Sequence, residues 1–266
     1  MKLSDIETPL SSISGIGPSL SNTFSKLNIF NIADLFTTYP KDYEDRTKIV
    51  PIKDFSKVGK INCYAKVLDH QWFGFGRMRT LKLIIFDGDS SATLVCYNRP
   101  FMEKSFPIGS IIFVTAPLSF KYGEIQTSVF DAQLVAKSGE LQEFTSKINP
   151  NAKILSLYHL TSGLTQNQYR KTVHQALKMY GNGISSELPE EVIKRQDLLS
   201  KQEAIHEIHN PTNFSQLEKA IKTIKFEELF FFQSAILKRV KERKNCSKAS
   251  ENFTDLSPSQ IKLLNS

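Results

Sequence analysis

The run Leu81-Lys-Leu-Ile-Ile-Phe86, closed by Asp87-Gly88 and followed by Ala92 to Tyr97, reads as two short apolar strands joined by a tight turn. Working outward, Ile61-Asn-Cys-Tyr-Ala-Lys-Val67 alternates with period two, Ile111 to Ala116 makes a fourth run, and a fifth lies near Gln126 to Val135. A helical piece, Phe101 to Ser105, falls between the third and fourth. Five short strands at this spacing predict a small closed barrel over residues 58–136.

Flanking segments change period. Leu20, Phe24 and Leu27 follow Gly15-Ile-Gly17-Pro18 at helical spacing, with Pro18 where a first helical turn accepts it. The glycine pair predicts the hairpin of a helix-hairpin-helix-like element within residues 1–57. There Gly15 and Gly17 either bring backbone N–H groups to a duplex phosphate or simply make a tight turn. A second helix, Asn31 to Tyr39, is expected to stop before Pro40. Residues 137–153 read as a polar linker, and 154–245 as a helical region with starts at Thr165-x-x-Gln168, Ser200-x-x-Glu203 and Ser215-x-x-Glu218. Its last helix carries Leu217, Ile221, Ile224, Phe226, Leu229, Phe230, Phe232, Ile236 and Val240, an apolar face broad enough to imply burial against another domain. The fold class expected is α+β.

A five-stranded barrel with a helix between its third and fourth strands has the layout of an OB-fold, which binds oligonucleotides on its middle strands and through two loops. Here the period-two run breaks at Tyr97-Asn98-Arg99-Pro100-Phe101, leaving two aromatics around an arginine. Gln71 to Arg79 holds Trp72, Phe73, Phe75, Arg77 and Arg79, and Ser119 to Gly123 holds Phe120, Lys121 and Tyr122. An aromatic beside a cation stacks a base and holds its phosphate, which grips an unpaired strand without reading sequence. Taken singly, each segment is an ordinary turn whose aromatics pack on the core. Three on one rim would be an aggregation liability unless they bind something.

Composition agrees with a polyanion partner: 34 Lys and Arg against 27 Asp and Glu give a formal net charge of +7. Cys63, Cys96 and Cys246 are odd in number and widely spaced, which indicates neither a disulfide framework nor a zinc knuckle. His206 and His209 share a helix face without a third ligand nearby, so no metal site is expected. No run approaches the roughly 18 apolar residues of a membrane span, and Met1-Lys-Leu-Ser-Asp-Ile-Glu-Thr8 lacks the apolar stretch of a signal peptide. A cytoplasmic protein with no membrane partner is expected.

Several blocks in fixed order carry a family resemblance: Ile13-Ser-Gly-Ile-Gly-Pro18, Asp34-Leu-Phe36, Tyr39-Pro-Lys-Asp-Tyr-Glu-Asp-Arg46, Phe86-Asp-Gly88, Val95 to Phe101, Tyr158 to Thr165, Leu188-Pro-Glu-Glu191, Ile208-His-Asn-Pro211 and Lys225-Phe-Glu-Glu-Leu-Phe230. The chain resembles the part of the RecG family of ATP-dependent DNA helicases that precedes the motor. The resemblance implies that the barrel is a wedge that splits branched DNA in repair and recombination. It also implies that Tyr97 and Phe101 occupy the positions of two aromatics that stack on branch-point bases. Arg99 stands where that family usually has Gln, and Thr127-Ser-Val-Phe130 departs from its His-Pro-Glu-Tyr.

The partners so implied are replication forks, three- and four-way (Holliday) junctions, single-stranded DNA, and a motor normally in the same chain, in the bacterial cytoplasm or nucleoid. ATP and Mg would belong to that motor. The sequence contains no Gly-x-x-x-x-Gly-Lys-Ser/Thr loop, so no cofactor, no catalytic residue and no ATP hydrolysis are expected of this polypeptide. Residues 246–266 read as the start of the motor, and the chain as either a fragment of a longer protein or a truncated gene product, monomeric in solution. Two other readings stay open: a stand-alone single-strand-binding module, and an interaction protein whose last helix is a docking surface.

Overall fold

The structure, a computed structural model, describes residues 2–74, 79–145 and 153–254, the side chains of 145 and 244–254 excepted. In chain order come α1 (Pro18–Ser25), α2 (Ile32–Thr37), β1 (Asp42–Asp45), β2 (Ile61–Phe73), β3 (Thr80–Phe86), β4 (Ser91–Cys96) and α3 (Met102–Ser105). Next are β5 (Ile111–Ala116), β6 (Ser119–Lys121), β7 (Glu124–Thr127), β8 (Asp131–Ala136), α4 (Leu141–Thr145) and β9 (Ile154–Leu157). The remaining helices are α5 (Gln166–Tyr180), α6 (Glu190–Arg195), α7 (Lys201–His209) and α8 (Phe214–Thr254). They form two compact units, Lys41–Leu157 on the one hand, and residues up to Pro40 together with those from Tyr158 on the other.

The first of these units is built on a seven-stranded sheet of order β6-β7-β4-β3-β2-β5-β8. Five strands were expected; the fifth run splits in two, and Ser119–Lys121 adds a hairpin strand. The split has a topological consequence. β7 runs parallel to β4, while β8, which follows a three-residue link, runs antiparallel to β5, so one stretch of chain joins the two ends of the sheet. β2 also serves two neighbours, pairing with β5 through Lys66 and with β3 beyond it. A register shift between Val67 and Asp69 supplies the bend, as a bulge does when a strand must curl.

Alternation decides what is inside. Ile61, Cys63, Ala65, Val67, Leu81, Leu83, Ile85, Ala92, Leu94, Cys96, Ile112 and Val114 share one core. Tyr64, Ile111 and Phe113 point the other way, and α4 covers them through Leu141 and Phe144. Part of the expected linker is thus a helix that buries the outer face of the sheet. The expected boundary at 57/58 is also not a structural one: β1 pairs with β9, and Ile52 lies in the core of the seven-stranded sheet. Arg46, buried, fixes this corner by bonding Glu44 and Asp131, each at 2.7 Å. Breaking such a pair from one side costs about 3–5 kcal/mol.

The other unit joins regions the sequence reading kept apart. Leu10, Ile13, Phe24, Ile32, Leu35 and Phe36 share a core with Tyr158, Tyr169, Val173, Ile205, Ile208 and Ile224. Thr165 and Ser200 cap α5 and α7 as reciprocal boxes with Gln168 and Glu203. At α8 the cap is instead Asn213, whose Oδ1 accepts from the Gln216 amide, so the Ser215 box does not form the start. The first arm of the expected helical hairpin is a three-residue 3-10 turn, Leu10–Ser12, rather than an α-helix. Lys201 and Glu227 pair inside the α7–α8 contact. Beyond it Leu229, Phe232, Ile236 and Val240 form one stripe that is exposed among the described residues.

Candidate nucleic-acid interface

Register places the expected contact residues. Phe73 opposes Thr80 at the end of β2, and Leu81 opposes Cys96 at the end of β4, so Trp72, Phe73, Arg79 and Tyr97 lie at one end of three adjacent strands. β7 runs parallel to β4, so the link Ser128 to Phe130 leaves from this same end. Phe75 and Arg77 lie outside the described residues.

Past β4 the chain must reverse at once. Asn98 adopts φ 56°, a left-handed conformation that asparagine tolerates better than most side chains, and Phe101 then caps α3. This tight reversal keeps both aromatics out of the core: Tyr97 is 63% exposed and Phe101 58%. Between them Arg99 lies 5.8 Å over the ring of Phe130, which holds its guanidinium beside the aromatics. Burial raises the Cys96 thiol to about 11, with Arg99 opposing, so it is an inert core group.

Trp72 differs from its neighbours. It is half-buried, its indole N–H donates to Glu103 Oε1 at 3.2 Å, and the Arg79 guanidinium covers its ring at 4.7 Å. His70 Nε2 bonds the Phe106 carbonyl at 2.8 Å. Together these contacts tie β2 to both ends of α3, the helix that presents Phe101. No short motif could have shown this, because Glu103 sits in a separate segment. Phe73, by contrast, is exposed, with Lys82 Nζ 6.0 Å over its ring.

Lys121 and Tyr122 occupy the β6–β7 hairpin. Lys121 opposes Glu124, so Tyr122-Gly123 is a two-residue turn, and both take positive φ, 52° and 82°. Tyr122 is 96% exposed. Under the hairpin, the Lys82 ammonium bonded to Glu124, helped by the Thr93 hydroxyl, holds the Glu124 carboxyl below its usual range. Tyr97 and Tyr122 both line a cavity of about 420 Å³.

Gly15 and Gly17 belong to the other unit. Gly15 needs its glycine, at φ 88°, and Gly17 caps α1 without a side-chain acceptor, with open space where a Cβ would stand. His209 of the His206/His209 pair is wholly occupied: Nε2 donates to the Phe36 carbonyl and Nδ1 accepts from the Tyr158 hydroxyl, both at 2.9 Å. A carbonyl accepts only, which fixes this tautomer. Among the described residues no group of three His, Cys, Asp or Glu is placed to hold a metal ion. No helix among the described residues is long and apolar enough to cross a membrane.

Fold and rim together define a mixed α+β protein whose curled sheet presents aromatics beside cations at one end. The family described as the RecG wedge domain matches residues 9–180, and the chain belongs to it. Among its relatives are proteins called ATP-dependent DNA helicase RecG. One from Treponema pallidum is 30% identical over 89% of this chain and 33% of its own length, and one from Thermotoga maritima is 30% identical over 90% and 30%. A solved structure described as RecG bound to a three-way DNA junction superposes with a TM-score of 0.74 at 29% identity, covering 95% of this chain and 35% of that one. The chain thus spans about a third of the length of the curated relatives it matches.

Proposed function

We propose that the Lys41–Leu157 unit is the strand-splitting wedge of a RecG-like ATP-dependent DNA helicase that acts on forks and on three- and four-way junctions in DNA repair and recombination. The observation that carries this is the pair Tyr97 and Phe101, exposed around Arg99 at the sheet end of a RecG wedge-family chain. The sheet whose two ends are joined along the chain by the link from β7 to β8, with α3 between its third and fourth strands, is read as an OB-fold barrel, and Gly15–Gly17 as a helix-hairpin-helix-like phosphate contact. Phe73, Asn98, Arg99, Arg79, Lys121 and Tyr122 would serve as base platforms and phosphate contacts, a role that the sequence also assigns to Phe75 and Arg77. Trp72 would act through Glu103 by holding α3.

The mechanism is that of a passive pin. A motor draws duplex arms past the barrel, and the aromatics replace the stacking that junction bases lose. One DNA step is worth about 1.4 kcal/mol, and an aromatic platform returns about 1–3 kcal/mol per base. Two platforms therefore offset unpairing without supplying net work, which has to come from ATP, with Mg, in a motor elsewhere in a longer chain. The apolar stripe Leu229, Phe232, Ile236 and Val240 is where that motor would dock, since relatives are about three times as long. The protein is taken to be a cytoplasmic monomer.

Gel-shift titration of this chain against a fork, a three-way junction, a four-way junction, single strand and duplex tests the proposal. Tighter binding to the branched forms is expected, with no ATPase activity. Equal affinity for single strand and fork would favour a stand-alone single-strand-binding module instead.

A further inference from the structure

The cavity beside Tyr97 contains more chemistry than a stacking platform requires. Its walls are Tyr97 and Val95 from the β4 end, Lys121 and Tyr122 from the hairpin, and Gln126 and Ser128 from β7 and the link after it. At about 420 Å³ it falls within the size range of small-ligand sites, roughly 300–1,000 Å³. Gln126 Nε2 donates to the Lys121 carbonyl at 3.0 Å, and its Oε1 takes no partner among the described residues and stays available as an acceptor. The Ser128 hydroxyl is exposed and takes no partner among the described residues. Two aromatic residues, hydrogen-bonding side chains and a lysine in one lining suit one ligand chemistry: a single planar base with a phosphate attached.

Backbone conformation supplies a second, independent observation. A two-residue turn with positive φ at both positions favours Asn-Gly, because asparagine accepts the left-handed region and glycine has no Cβ to clash. This hairpin has Tyr122-Gly123, with tyrosine at φ 52°. A bulky residue held there is strained, and strain of this kind gathers at ligand clamps. The turn is worse for the tyrosine, whose ring is almost wholly in solvent.

We propose that Tyr97 and Tyr122 form a pocket for one unpaired nucleobase flipped out of the branch, with Gln126 and Ser128 on its edge and Lys121 on its phosphate. The pocket rests on the branched-DNA reading above, but it assigns a specific nucleotide where that reading needs only stacking. Forks carrying 2-aminopurine, and separately an abasic site, at each unpaired position next to the branch are titrated with the wild-type chain and with Tyr122→Asn and Tyr122→Phe. The asparagine keeps the turn, so its melting temperature should equal or exceed that of wild type. In wild type one position should show quenched fluorescence, and an abasic site there should weaken binding about 5- to 150-fold. Tyr122→Asn should abolish both effects at that position, and Tyr122→Phe should retain them. Normal fork binding with no position sensitive to Tyr122 overturns the pocket and leaves the wedge standing. Absence of any preference for forks overturns both.

Discussion

Two groups of aromatics in this chain have opposite fates. In the helical unit Tyr158 and Tyr169 stack at 3.9 Å between centroids, nearly parallel, and Phe24 meets Tyr169 edge-on at 5.1 Å. All three are buried, and the Tyr158 hydroxyl is spent on His209. In the sheet unit Phe73, Tyr97, Phe101 and Tyr122 are exposed, and none has an aromatic partner among the described residues. Residue type is the same; what differs is whether the ring faces are covered inside the protein. A satisfied aromatic stabilises the fold, whereas an unsatisfied one at a tight turn is free to do so for a ligand.

The sharpest way to break this contrast is to truncate one ring of the buried set. Tyr158→Ala should destabilise the helical unit by about 3–5 kcal/mol, the usual loss for a buried aromatic, read by denaturant titration. It also removes the hydroxyl from which His209 Nδ1 accepts. A drop in fork affinity with unchanged stability would contradict the assignment of this ring to the core.

Acidity tests the same cluster. Burial, the largest cause, lowers His209 from 6.5 to about 4, with the nearby His206 adding to it and the Phe36 carbonyl opposing. The folded state therefore resists a proton that the unfolded chain accepts below about pH 6.5. Stability from this site is fully present above that pH and is lost as pH falls toward about 4, on the order of 3 kcal/mol in all. Melting temperature followed from pH 7 to 4 should fall more steeply in wild type than in His209→Gln. Parallel curves would mean that His209 is not held neutral.

The contrast also explains what the sequence made legible. Period-two runs such as Leu81 to Phe86 were readable as strands, since a half-buried sheet face imposes alternation on each strand separately. The split of the fifth run was not, because it depends on β4 and β5 as remote partners. Nor was the union of the first forty residues with those beyond Tyr158, which is a long-range packing choice without local signature. At the site, Tyr97, Asn98 and Phe101 could be found because a strand ended abruptly in a turn. The strut role of Trp72 escaped, since an exposed aromatic and one bonded to Glu103 look alike in sequence. Arg46 shows the reverse case: its motif was visible, but only the structure gives the reason, a buried bridge to Asp131.

For the exposed set the expected effects move to binding. Tyr97→Ala and Phe101→Ala should each weaken branched-DNA binding by about 1–3 kcal/mol, with circular dichroism and melting temperature near wild type. A loss of stability as large as that of Tyr158→Ala would place them with the packing aromatics. Unchanged binding in both stable variants would remove the wedge assignment from this segment.

The smallest effect separates charge from stacking within the rim. If Lys121 holds a phosphate, Lys121→Ala should weaken binding to every branched substrate alike, about twofold to fivefold at moderate salt, as an exposed ion pair does. Its diagnostic is the slope of log affinity against log salt, which should become shallower by roughly one relative to wild type, because one fewer counterion is released. Tyr122→Asn, on the adjacent residue, should leave that slope intact while lowering affinity, since stacking displaces no counterion. An unchanged slope in Lys121→Ala would take the lysine off the phosphate path. A changed slope in Tyr122→Asn would mean that the hairpin had moved as a whole and that neither variant isolates its own contact.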